Sequence, residues 1–178
     1  MNPRIFMYEM DHSEPGDAAF AAFGRAFAIA ARFESGCKAL ATLFRVKAER
    51  SDLVTDAGIE VLAAALQKAT LQSTLAKISS AGALCSLDVY RILSAAKDAR
   101  NMLAHELAVG LDSLHAQPNA CDIMRRNLVR VMPALAMGDA LVSLYTSIAT
   151  DEPFPRSVDT YVQRIVDWVI VPLDEVTG

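Results

Sequence analysis

Apolar residues recur at steps of three and four along almost the whole chain, the spacing of helices that each bury one face. Phe20, Phe23, Phe27, Ala30 and Ala31 follow this step, and it resumes beyond Ser35-Gly36 through Leu40, Leu43, Phe44 and Lys47. The spacing predicts one long first helix from Asp17, as N-cap, to about Glu49, with Ser35-Gly36 as a candidate bend. Residues 1–16, closed by the turn cluster Ser13-Glu14-Pro15-Gly16, read as an irregular lead-in. A second helical region starts at Ser51-Asp52 or Thr55-Asp56, carries Ile59, Leu62, Leu66, Leu71, Leu75 and Ile78, and ends at Ser79-Ser80-Ala81-Gly82. The third helix is predicted over 87–109, with Ser86 as cap, Asp88 in the first turn and Gly110 past its end. A fourth opens at Pro118 or Asn119, and Pro133 is expected to kink or interrupt it. Asp151-Glu152-Pro153-Phe154-Pro155 breaks the pattern, Ser157 caps a last helix, Pro172 stops it, and 173–178 form a tail. Tyr161, Ile165, Trp168 and the phenylalanines of the first helix read most simply as core, with a dimer interface as the other reading. The expectation is an all-α bundle of about five helices, one domain over 17–172.

Composition supports that class. The 178 residues are 53% hydrophobic and 21% charged, alanine-rich, with only eight Gly and seven Pro. This excludes a disordered chain, a collagen, a small disulfide scaffold and a typical all-β sandwich. A net charge of −4 excludes the broad basic face of a non-specific nucleic-acid binder but leaves room for a local basic pocket. Cys37, Cys85 and Cys121 are odd in number, widely spaced and set among apolar residues, which fits reduced thiols in a cytoplasmic protein. Arg4, Glu9 and Asp11 argue against a signal or transit peptide, and no uninterrupted apolar run approaches the ~18 residues of a membrane span. His12 and His115 lack metal-ligand spacing, and no phosphate-binding glycine loop or hydrolase elbow appears, so no metal or cofactor is expected.

The third helix concentrates the candidate chemistry. At about 100° per residue, Val89, Ile92, Leu93, Ala96, Leu103 and Leu107 form one stripe, while Ser94, Asp98, Asn101 and His105 form a narrow polar seam opposite. Arg100 falls inside the apolar stripe. A guanidinium there needs a carboxylate, backbone carbonyls or a ligand phosphate.

The run Lys97-Asp98-Ala99-Arg100-Asn101-Met102-Leu103-Ala104-His105-Glu106 resembles the Arg-polar-x-x-x-His signature of HEPN proteins, all-α domains of prokaryotic toxins, phage-defence systems and some RNA-processing factors. The resemblance implies a metal-independent endoribonuclease in which two motifs face one another across a homodimer and form one composite site, in a toxin–antitoxin or phage-defence setting. It assigns Arg100, Asn101 and His105 as catalytic, with Asp98 in support. Those residue types suit the chemistry. An imidazole of ordinary pKa about 6.5 can move a proton near neutrality, and a permanently charged fork can stabilise a developing phosphorane. In a straight helix Arg100 and His105 stand about 140° apart, so they converge only by a wrapping arginine, a distorted helix or a second subunit. Leu107 occupies the position where partner-modified toxins of this class carry a tyrosine, so that form of silencing is not implied. Arg125, Arg126 and Arg130 are the nearest basic reserve for RNA contact, an ordinary solvated face being their other reading. The alternative from a different class is a non-catalytic HEPN-like interaction module, with a structural Arg-His pair and an acidic surface meeting a protein partner or antitoxin.

Overall fold

A computed structural model describes residues 14–48, 56–80, 87–114, 119–154 and 157–177. It is an all-α bundle: α1 (Glu14–Ala48), α2 (Asp56–Gln67), α3 (Leu71–Ser80), α4 (Leu87–Asn101), α5 (Ala120–Thr150) and α6 (Val158–Thr177). No strand occurs among the described residues. From Asn101 the α4 path continues through a π-helical turn, Met102–Leu107, and a 3-10 segment, Ala108–Ser113.

Several boundaries differ from the sequence expectation, each for a local reason. α1 begins at Glu14 and Asp17 lies in its first turn rather than capping it. Pro15 is accommodated there because first-turn N–H groups have no intrahelical acceptor to lose. The helix runs unbroken through Ser35-Gly36. The second helical region divides into α2 and α3 because Thr70 caps a new start: its Oγ1 accepts from the Ser73 N–H at 3.2 Å. Gly110 terminates nothing, since the 3-10 segment carries on to Ser113. Pro133 lies within a continuous α5. The carbonyl it deprives of a donor, four residues back at Val129, belongs to an exposed residue and can turn to water. Ser157 does cap α6, accepting from the Thr160 N–H at 3.2 Å, but Pro172 does not stop it. α5 ends at Asp151, the left-handed residue (φ 57°), as the Glu152 N–H closes on the Ser147 carbonyl at 2.9 Å.

α5 is the centre of the bundle. Arg32 meets Asp139 and Gly36 meets Val142, so α1 runs parallel to α5. Ala96 approaches Gly138 while Met102 approaches Arg130, which makes α4 antiparallel. α6 is antiparallel to α1, with Tyr161 beside Arg32 and the Val169 carbonyl beside Arg25. Leu93, Leu103, Leu128, Met132, Leu135, Phe33 and Leu40 are almost wholly buried, each worth about 1.5–3 kcal/mol in transfer terms. Alanines let the backbones close in. A Cβ placed on Gly138 would lie 2.2 Å from the Ala96 Cβ and 3.1 Å from Phe33 Cε2. α5 is also long and apolar enough to cross a membrane by length and composition, but half of its most apolar stretch is buried inside the bundle. Among the first-helix phenylalanines, Phe23 and Phe33 are core and Phe27 is about half exposed. Ile165 is core as expected, whereas Trp168 is half exposed on α6 and is not.

Candidate functional site

Of the α4 stripe, Leu93, Ala96, Leu103 and Leu107 are buried and Val89 and Ile92 half-buried, and the flanking Ala99 is buried as well. Arg100, half-buried within this stripe, reaches toward α1. Its Nη2 donates to Glu34 Oε2 at 2.5 Å and its Nη1 to Asn101 Oδ1 at 3.2 Å. Of the three kinds of partner the sequence left open, the carboxylate is the one present, from a residue 66 positions away that spacing did not single out. Glu34 is shared. Its Oε1 accepts from Lys38 Nζ at 3.0 Å, and Lys38 also donates to the Gln67 carbonyl at 3.2 Å, at the end of α2. Burial pushes the Glu34 carboxyl up, but the Lys38 hydrogen bond, the charges of Arg100 and Lys38 and the Arg100 hydrogen bond together outweigh it and hold it below the ordinary glutamate value.

His105 occupies the middle of the π-helical turn. Its side chain is exposed and makes no hydrogen bond or ion pair among the described residues. In a π-turn the N–H bonds to the carbonyl five residues back, so a residue five along comes round much as one four along does in an α-helix. The angular gap between Arg100 and His105 is therefore narrower than the 140° of a straight α-helix. Helix distortion, one of the three routes to convergence, is present at the motif.

The remaining candidates separate. Asp98 is exposed and pairs with Lys97 at 3.1 Å rather than with the motif, and Lys97 reaches Gln72 of α3 at 2.9 Å. Arg126 and Arg130 are exposed on α5 and Arg125 is half-buried. Arg130 Nη2 lies 3.3 Å from the Met102 sulfur, at the start of the π-turn and three residues before His105. Cys37 and Cys121 are buried free thiols. Burial first, then the charges of Asp139 and Glu34, push Cys37 up to about 12, so it is inert as a nucleophile. Cys85, His12, His115 and Ser86 lie outside the described residues. No group of three metal-ligating side chains gathers among the described residues.

A second polar cluster was not anticipated. Asp139, 2% exposed, receives Arg32 through both oxygens: Nε donates to Oδ1 at 3.1 Å and Nη2 to Oδ2. The Tyr161 hydroxyl donates to Oδ2 at 2.8 Å, accepts from Arg32 Nη2 at 2.9 Å, and lies 3.3 Å from Ser143 Oγ. The Asp139 hydrogen bond raises the Arg32 pKa; burial, ahead of Asp139, raises that of Tyr161. One signal was available in the sequence: Asp139 is the sole charge between Arg130 and Asp151. A lone carboxylate in an apolar helix demands a partner.

A cavity of about 220 Å³ lies between the C-terminal part of α1, α2 and α3, lined by Ala41, Phe44, Arg45, Leu62, Leu66 and Lys77 among others, and none of the motif residues reaches it. Comparison with family models, curated proteins and solved structures finds no match.

Proposed function

We propose that this chain is a HEPN-like RNA-binding or metal-independent endoribonuclease domain whose half-site is Arg100, Asn101 and His105, completed by the same residues of a second copy in a homodimer. A toxin–antitoxin or phage-defence role is the setting this activity suits. The observation that carries the reading is the π-turn through the motif, which leaves an exposed, unpartnered imidazole on a helix already holding a tethered arginine. In the reaction the ribose 2′ oxygen attacks the adjacent phosphorus and the bond to the 5′ oxygen breaks. His105 of one copy accepts the 2′ proton, His105 of the other protonates the leaving oxygen, and Arg100 bears on the charge that develops on phosphorus. Purified protein is expected to cut RNA in excess EDTA, leaving 2′,3′-cyclic phosphate ends, with Arg100→Ala and His105→Ala each abolishing cutting while the dimer persists. No cleavage by wild type, or full cleavage by both variants, overturns the proposal.

One observation favours a second reading. The Arg100–Glu34 ion pair joins α1 to α4, as a structural arginine in a non-catalytic interaction module would. That reading expects Arg100→Ala to lower stability, a co-purifying protein partner, and recovery of both fold and partner binding by the double reversal Glu34→Arg, Arg100→Glu.

A further inference from the structure

We propose that Glu34 and Lys38 of α1 form a clamp that positions Arg100 for a phosphate, acting together as positioning residues of the RNA site; this rests on the reading above. The geometry is specific. Each oxygen of Glu34 is committed to a different cation, Oε2 to Arg100 at 2.5 Å and Oε1 to Lys38 at 3.0 Å. Lys38 is only 12% exposed and is held in turn by the Gln67 carbonyl. Lys38 is thus anchored on α1 and by the end of α2, and Arg100 is held through both terminal nitrogens, Nη2 by Glu34 of α1 and Nη1 by Asn101 of α4.

Three consequences follow from the chemistry of the groups. A carboxylate with both oxygens bound to cations, and with its proton affinity lowered, is unsuited to take the 2′ proton, so Glu34 acts through Arg100 rather than on substrate. Two cations against one carboxylate leave the cluster with a net positive charge of one. Glu34 therefore fixes Arg100 without cancelling it, which a simple one-to-one pair would do. Among the described residues Arg100 engages two acceptors, Glu34 and Asn101, while a guanidinium carries five N–H groups. Donors remain for phosphate oxygens while the anchor holds, and a long flexible side chain is ordered before substrate arrives.

The test is chemical rescue on the full-length chain, with RNA cleavage followed at saturating and limiting substrate. Glu34→Gln is expected to lower kcat by roughly ten- to a hundredfold with KM within about threefold, the scale of misplacing a catalytic group. Lys38→Met, which keeps the Glu34–Arg100 contact, is expected to lower kcat several-fold. Arg100→Ala is expected to regain cleavage when free guanidinium is added at millimolar concentration, and the double variant Arg100→Ala, Glu34→Gln to regain none. If wild type cleaves and Glu34→Gln retains turnover within twofold, the clamp is wrong while the ribonuclease reading stands. Equal guanidinium rescue with and without Glu34 also overturns it, as does loss of kcat only in step with a large fall in melting temperature. If wild type cleaves no RNA, both the reading and the clamp fail.

Discussion

Arg32 and Glu34 are two residues apart on α1 and leave opposite flanks of its buried stripe, each into a network of charge and hydrogen bonds. The two networks are built from similar groups and differ in closure. Around Asp139 the carboxylate is buried and both of its oxygens are occupied, with Tyr161 and Ser143 completing the set, while its arginine is half exposed. Around Glu34 the carboxylate is about one-fifth exposed, its arginine about one-quarter, and an unpartnered imidazole stands five residues on. A closed network stabilises one packing of α1, α5 and α6. An open one leaves its carboxylate partly solvated and sets its arginine on the same helix path as an exposed imidazole, the pairing of groups that a site for an anionic ligand needs. The contrast locates chemistry by what is left unsatisfied rather than by how many charges are gathered.

The sharpest way to break the contrast is to open the closed side. Arg32→Met keeps the aliphatic stem but leaves the buried Asp139 carboxylate with only the Tyr161 hydroxyl. A loss of about 2–4 kcal/mol is expected from the denaturant midpoint, because the buried carboxylate loses its charge partner, although that arginine is itself half exposed. Asp139→Asn, which removes the charge with the shape kept, should cost less. Next in size is Gly138→Ala. Helix propensity alone would favour alanine by about 1 kcal/mol, but the new methyl would overlap Ala96, so a net loss of roughly 1–3 kcal/mol is expected. Gly24→Ala is the control: nothing lies within 4 Å of its added Cβ, and thermal melting should show a small gain.

Much of this arrangement could not be read from spacing, for identifiable reasons. Periodicity is local, and it placed α1, α4 and the Ser157 start of α6 well because those stripes are set within a few turns. Local grounds have Pro133 kinking or interrupting its helix and Pro172 stopping one; α5 instead runs on through Pro133, where Met132, Leu135 and Ala136 are buried, and α6 runs on past Pro172. The π-turn leaves no mark on composition, since Met102, Leu103, Ala104 and Leu107 suit an α-helix equally well. Within the candidate site, the need for an Arg100 partner was legible from its place in an apolar stripe. Its identity was not, because Glu34 is brought to it by the docking of both α1 and α4 on α5 and not by any sequence step. Asp139 was legible in principle as a lone charge, and its partners, 107 and 22 residues away, were not.

On the open side a smaller stability effect is expected, and it should depend on pH. The Glu34 carboxyl titrates below its ordinary value in the folded chain, so the folded state binds its proton less readily than the unfolded state. The stability it contributes is therefore complete above the ordinary glutamate pKa and is lost as pH falls from there through the lowered folded value. Glu34→Gln should flatten that part of the stability profile while leaving the neutral-pH midpoint lower by only about 1 kcal/mol, since the pair is partly exposed and screened. A profile unchanged by Glu34→Gln would mean that the pair does not persist in solution.

The smallest effect on stability belongs to the residue on which the functional reading depends most. His105 is exposed, bonds to no described side chain, and sits where the helix has already left α geometry. The ring is exposed and its removal orphans no described partner, so His105→Ala should shift the unfolding free energy by less than about 0.5 kcal/mol. The ribonuclease reading requires the same substitution to abolish cleavage, so stability and activity come apart at this position. At Arg32 they move together, because activity there is lost only as the fold is lost. Measuring melting temperature and RNA cleavage side by side for Arg32→Met and His105→Ala therefore tests the division between the closed and open networks in one experiment. A large stability loss at His105 would place the imidazole in a structural role and remove the functional difference between the two sides of α1.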